Sequence, residues 1–157
     1  MDVEVREADL ADAADAEAVR RLLDEYARLP IAQGAPLAAR VLRELVPGLR
    51  KHPAALVLLA WIEGRAVGVA VCFVGFSTFL ARPLINIHDL AVTADCRGHG
   101  VGQRLLSEVE AKARALGCGK VTLEVREDNV SAQRLYRRLG FGDGEEGPAT
   151  LFLSKTL

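Results

Sequence analysis

Gly98, Gly100 and Gly102 stand between an apolar, strand-like run and an amphipathic helical one. This junction constrains the fold more than any other part of the chain. It reads Leu90-Ala-Val-Thr-Ala-Asp-Cys-Arg-Gly-His-Gly-Val-Gly-Gln-Arg-Leu-Leu106. Without Cβ atoms the glycines tolerate positive φ and let backbone N–H groups approach a ligand closely. The first turn of the helix adds unsatisfied amides and the positive end of the helix dipole, so the junction favours an anion. Arg97 and Arg104 add guanidinium donors suited to phosphate. A bound phosphate or pyrophosphate is the physical inference, with a glycine-rich turn lacking any ligand as the competing reading.

Two common phosphate motifs do not fit. No Gly-Lys-Ser/Thr tripeptide follows the glycines, as a P-loop requires. A dinucleotide fingerprint starting at Gly98 would need glycine at Gln103, and one starting at Gly100 would need it at Leu105.

The periodicity around this junction gives the expected order. Leu10, Ala14, Val19, Leu22, Leu23 and Tyr26 recur at helical spacing, and Pro30 to Pro36 interrupts them. Leu37, Val41, Leu42, Leu45, Val46 and Leu49 predict a second helix, which Pro53 bars from continuing. Leu56–Ile62, the Glu63-Gly64 turn and Ala66–Phe73 predict a hairpin, with Gly75, Ser77 and Thr78 loosening its second strand. Pro83 is expected to exclude a central-strand position, so the next strand spans Ile85–Val92. Its alternation separates Asn86, His88 and Leu90 from Ile87, Asp89 and Ala91, unless a bulge intervenes. A helix over Gly100–Leu116, a strand over Lys120–Arg126, a helix over Val130–Leu139 and a strand over Thr150–Ser154 complete the chain. The expected class is α/β, a mixed and partly parallel central sheet flanked by helices, in the order ααββ-β-α-β-α-β.

At 157 residues the chain is expected to form one domain, 1–157. Twenty Lys and Arg against 21 Asp and Glu leave a formal charge of −1, with no global basic field for a nucleic-acid partner. No apolar run approaches a membrane span, and Met1-Asp-Val-Glu-Val lacks the start of a signal peptide. Cys72, Cys96 and Cys118 are an odd number without CxxC spacing, so neither a disulfide framework nor a metal site is expected. These features predict a cytoplasmic protein with no nucleic-acid or membrane partner.

Arg97-Gly-His-Gly-Val-Gly102 resembles the Arg/Gln-x-x-Gly-x-Gly/Ala signature of the GNAT superfamily of N-acetyltransferases, and Leu90-Ala-Val92 resembles the strand before it. Leu123-Glu-Val125, Asn129, Ala132, Leu135-Tyr136 and Leu139-Gly-Phe141 resemble the family's second block, in the right order and at the right separation. The likeness covers roughly residues 86 to 141.

The resemblance implies a GNAT-like fold and acetyl-CoA as donor. It places the pyrophosphate on the loop Arg97, Gly98, His99, Gly100, Val101, Gly102 and Gln103, with the amides of Gly98, Gly100 and Gly102 on the phosphates. The pantetheine would pair with the backbone of Leu90, Ala91 and Val92, and Asn129 would reach the cofactor from the start of the last helix. It implies acetyl transfer to a primary amine, on a small molecule or a peptide N-terminus, by direct attack in a ternary complex. A non-catalytic acyl-CoA sensor or scaffold is the alternative.

Transfer to an amine needs a base for the ammonium and an acid for the leaving thiolate. By spacing alone Tyr136 is a core tyrosine beside Leu135 and Leu139; the resemblance makes it the general acid. Three residues compete as base. Glu124 matches the acid in Leu-Glu-Val, His88 stands at a strand position that resembles the base of some amine acetyltransferases, and Asp89 lies in Ile-His-Asp-Leu-Ala-Val, which resembles a strand of some aminoglycoside acetyltransferases. A base acting through water would make none of them essential. The family's acceptor wall corresponds to Pro30–Pro36 and Phe76–Pro83, with Phe73, Phe76 and Phe79 and few acids nearby. Leu151, Phe152 and Leu153, consecutive in the terminal segment from Ala149 to Leu157, predict a homodimer.

Overall fold

The computed structural model describes residues 2–142 and 150–157. Five strands form one sheet in the order β1-β2-β3-β4-β5. They are β1 (Glu4–Glu7), β2 (Ala55–Ile62), β3 (Arg65–Ser77), β4 (Arg82–Val92) and β5 (Lys120–Leu123). The first four are antiparallel neighbours, and β5 joins β4 in parallel through a helical crossover. The helices are α1 (Ala13–Ala27), α2 (Ala39–Lys51), α3 (Val101–Ala115) and α4 (Val130–Arg138). Among the described residues no helix is long and apolar enough to cross a membrane.

Helices on both faces explain why β2 and β3 are almost continuously apolar. On one face α1 and α2 bury Val19, Leu22 and Val46 against Val57, Leu59, Val69 and Val71. On the other, α3 lays Val101, Leu105 and Val109 on Leu58, Val67, Ile85 and Ile87. Close approach of α3 depends on Gly68, where an added Cβ would meet Leu105 Cδ1 at 3.0 Å and the Ala91 carbonyl oxygen at 3.2 Å. Asp12 caps α1 by accepting from the Ala14 and Asp15 amides, both at 3.0 Å. Arg6 of β1 then holds Asp15 through two bonds of 2.6 and 2.7 Å.

The observed order departs from the expected one at both ends. A strand, β1, precedes the first helix: Val3 is buried and Val5 packs on the α3 side, while Glu4, Arg6 and Glu7 are exposed. Thr150–Ser154 forms no strand; Leu151, Phe152 and Leu153 are 76–84% exposed and do not extend the sheet beyond β5. Ala149, where that segment was expected to open, lies outside the described residues. The second hairpin is also longer than predicted. Strand β3 continues through Gly75 to Ser77, and β4 starts at Arg82, with Pro83 opposite Phe76. Proline is tolerated there because β5 pairs only from Leu84 onward.

Candidate active site

Two irregularities in β4 create the site. The first is a bulge: Val71 pairs with Asp89 and Cys72 with Ile87, so His88 has no partner residue. The bulge flips the alternation. Ile85 and Ile87 face α3, and so do Leu90 and Val92 beyond it, while Ala91 faces the α1–α2 layer. The expected grouping of Leu90 with Asn86 and His88 is thereby corrected; Asp89 keeps its expected face with Ala91 but both part from Ile87.

The second irregularity is a fork. Strand β5 pairs with β4 only over Leu84–Ile87, opposite Lys120–Leu123. Asn86 marks its base, donating from Nδ2 to Thr122 Oγ1 at 3.0 Å. Beyond Ile87 the edge of β4 has no strand beside it among the described residues. Thr93 donates to Val67 on β3, so the alternation of an antiparallel pair turns the polar groups of Leu90 and Val92 toward the opening. The Val92 carbonyl there accepts from Arg97 Nε at 3.1 Å.

At the open end of the fork the glycine turn enters α3. Gly98 and Gly100 have φ of 78° and 82°, the left-handed region expected of glycines in this turn. Gly100 is the residue before the helix and brings no side chain to cap it. The first helical bond runs from the Arg104 amide to the Gly100 carbonyl, so the amides of Val101, Gly102 and Gln103 have no intrahelical acceptor. Gly102 serves packing as well, since a Cβ there would stand 3.1 Å from Leu135 of α4. An uncapped helix start beside an open strand edge fits a pyrophosphate joined to an amide-bearing chain, which is the chemistry of coenzyme A. His99 is exposed, with Nδ1 donating to the Arg97 carbonyl at 2.9 Å. Arg104 turns away from the turn toward the Val3 carbonyl, 3.5 Å distant, and is not one of the converging donors. Asn129 caps α4, accepting from the Ala132 amide at 3.3 Å.

The proton-carrying candidates are placed unequally. Tyr136 of α4 is half-buried, edge-on to Phe141 at 5.8 Å, and burial together with Tyr26 pushes its phenol up to about 12. Asp89 is half-buried, and burial raises its carboxyl above the ordinary value while the neighbouring His88 opposes the shift. His88 is exposed, its ring edge-on to Phe73 at 5.4 Å. Glu124 is exposed and lies beyond β5, which ends at Leu123 and not at the expected Arg126. Of the three expected wall phenylalanines only Phe73 reaches the bulge. Phe76 and Phe79 are 63% and 94% exposed at the hairpin tip, where Leu80 packs on Gly119.

Tyr26 was missed as a site residue because it falls on the apolar face of α1. Burial and the charge of Asp89 raise its phenol, and Arg126 opposes them. Tyr26 belongs to the α1–α2 layer and Tyr136 to the α3 layer, yet each is within electrostatic reach of the other. Only the fork, where the sheet is interrupted, lets groups from the two layers approach.

The sequence pattern of the Acetyltransferase (GNAT) family matches residues 16–141. An uncharacterized N-acetyltransferase of Methanocaldococcus jannaschii is 33% identical over 104 residues, a stretch covering 59% of this chain and 63% of that protein. In fold the chain is similar to a ribosomal-protein-alanine N-acetyltransferase from Brucella melitensis biovar Abortus, with TM-score 0.74 and 20% identity over 96% of this chain and 100% of the other. It is also similar to an aminoglycoside acetyltransferase from an uncultured soil metagenomic sample, with TM-score 0.78 and 18% identity over 98% and 97%. The glycine turn, the forked sheet and the family pattern coincide over one stretch of sequence, and the chain belongs to the GNAT acetyltransferase family.

Proposed function

We propose that the protein is an acetyl-CoA-dependent N-acetyltransferase acting on a primary amine, with residues 1–157 working as one catalytic domain. The observation that carries this reading is the uncapped start of α3 beside the open edge of β4. In this reading the amides of the turn at Gly98 and Gly100 and of Val101, Gly102 and Gln103 hold the pyrophosphate. Leu90 and Val92 offer their backbone to the pantetheine amides, with Ala91 anchoring the strand between them, and Arg97 fixes the strand end. Asn129 sets the start of α4 so that Tyr136 faces the fork. Acetyl-CoA supplies the activated thioester carbonyl.

Asp89 takes the proton of the ammonium, and the free amine then attacks in a ternary complex. Among the three candidates Asp89 is favoured because it lies in the fork, whereas Glu124 and His88 are exposed. Burial favours its protonated form, which makes it a stronger base than a solvated carboxylate. Tyr136 would give its proton to the sulfur as the carbon–sulfur bond breaks and regain one from the nitrogen as it becomes an amide, and a phenol at about 12 keeps its proton at neutral pH until then. The apolar residues Leu151, Phe152 and Leu153 support a homodimer, and the proposed setting is the cytoplasm.

Calorimetry with acetyl-CoA tests the central claim. Gly100→Asp places a carboxylate before α3, where it competes for the same amides and repels phosphate. No protein atom lies within 4 Å of the added Cβ, so steric conflict with the fold is absent and the cost is that of the left-handed backbone. Acetyl-CoA binding should be lost in a folded variant; unchanged affinity would overturn the assignment.

A further inference from the structure

The α1–α2 side of the fork carries groups that cofactor binding does not use. Tyr26 is one residue from the end of α1, and its carbonyl accepts from the Leu29 amide at 3.0 Å, which starts the connection to α2. That connection is tied across the opening, because Arg126 donates from one terminal nitrogen to the Pro30 carbonyl at 3.4 Å. Arg126 is itself fixed by Asp128 through two bonds of 2.9 and 2.7 Å. Phe73 packs in the same layer as Tyr26, with His88 on one edge and His52 at 5.0 Å on another. One carboxylate, Asp89, thus lies on the face of the sheet that Tyr26 and Phe73 share, since it pairs with Val71 of that face and follows His88 in the bulge.

We propose that Tyr26 contacts the acceptor: with Asp89 it forms a two-point seat, walled by Phe73 and His88, for the ammonium of a small alkyl or aryl primary amine. This rests on the reading of the fork as an acyl-transfer site. A carboxylate and a phenol hydroxyl supply two acceptors for the three N–H donors of the ammonium, and the rings suit an apolar substituent. A polycation would need further carboxylates for its other charges, and Asp128 by the opening is already paired with Arg126. Within electrostatic reach of Asp89 are Tyr26 from α1, His88 on its own strand and, from the α3 side of the sheet, Cys72 of β3; Arg126 and Tyr136 act on or are acted on by Tyr26 in turn. Burial and Asp89 push the Cys72 thiol up to about 12, so it stays neutral and leaves the seat's charge to Asp89.

The test compares the parent with Tyr26→Phe, measuring thiol release from acetyl-CoA with 2-phenylethylamine as acceptor and acetyl-CoA affinity by calorimetry. Loss of one hydrogen bond to the ammonium should raise the KM for the amine about tenfold, with acetyl-CoA affinity unchanged. Tyr26→Ala, which also removes the wall, should raise it further. A parent-like KM in Tyr26→Phe overturns the seat. So does a rise in KM matched by an equal loss of acetyl-CoA affinity, which marks Tyr26 as structural. A parent that binds acetyl-CoA but releases no thiol on adding the amine removes the acceptor class and this inference with it. A parent that does not bind acetyl-CoA fails the underlying reading instead.

Discussion

Tyr136 and Asp89 are both weakly hydrated groups with raised pKa values, yet the same cause suits them to opposite tasks. Burial keeps the phenol neutral, so it can give a proton; burial makes the carboxylate, once ionised, readier to accept one. Their substitutions should therefore differ in pH dependence. In the proposed mechanism an ionised Asp89 is required for attack, so the parent's turnover should fall as the pH drops through its raised value, and Asp89→Asn should be slow and lack that limb. Tyr136 remains protonated throughout pH 5.5 to 9.5, so Tyr136→Phe should lower turnover ~10²-fold at every pH and leave the limb in place. A parent-like limb in Asp89→Asn, followed across the same range, would return the proton to Glu124, His88 or water. Sequence alone could not rank these residues, because strict alternation put Asp89 opposite His88 and only the bulge reveals its neighbours.

Among the elements, those with strong periodicity or glycine punctuation were legible: the β2–β3 hairpin, and the passage from β4 through the glycine turn into α3. The short elements were not. Strand β1 has four residues, three of them charged, and is held in place by partners remote in sequence. Strand β5 looked longer because Leu123-Glu-Val125 continues its alternation, but β4 beyond the bulge offers it no register. The reverse occurs at Thr150–Ser154, where a strand-like pattern finds no strand to pair with. The tie between β1 and α1 escaped notice for the same reason. Asp15 is 2% exposed, accepts from Arg6 and from the Asp9 amide, and these bonds hold its carboxyl below the ordinary value of 3.8. A depressed carboxylate contributes stability above its unfolded pKa and loses it as the pH falls through the folded one. Asp15→Asn should cost about 2 kcal/mol at pH 7, less than a fully buried pair because Arg6 is 43% exposed. The deficit should shrink below pH 3.8 in urea titrations; a deficit independent of pH would mean that the ion pair is not its source.

At the scale of the whole molecule the elements differ in how firmly they are held. Helices α1 and α3 each bury several side chains in continuous cores, whereas α4 has none that is fully buried and β5 is paired over four residues. The proposed homodimer rests on the exposed Leu151, Phe152 and Leu153, and sedimentation at the mass of a single chain would remove it. The fork has a thermodynamic consequence of its own. An element attached by so few contacts opens at low free energy, independently of global unfolding. The β5–α4 arm should therefore exchange its amide hydrogens quickly in the free protein, while those of β2 and β3 exchange slowly. A ligand spanning the gap binds only the closed arm, so its binding energy should protect the arm and the amides of Leu90 and Val92, leaving the rest of the sheet almost unchanged. Exchange monitored with and without acetyl-CoA would read this as a boundary near Ile87. Affinity for the donor and cohesion of the arm then become one equilibrium: substitutions that loosen α4 far from any phosphate should weaken binding by the fraction of molecules whose arm stands open.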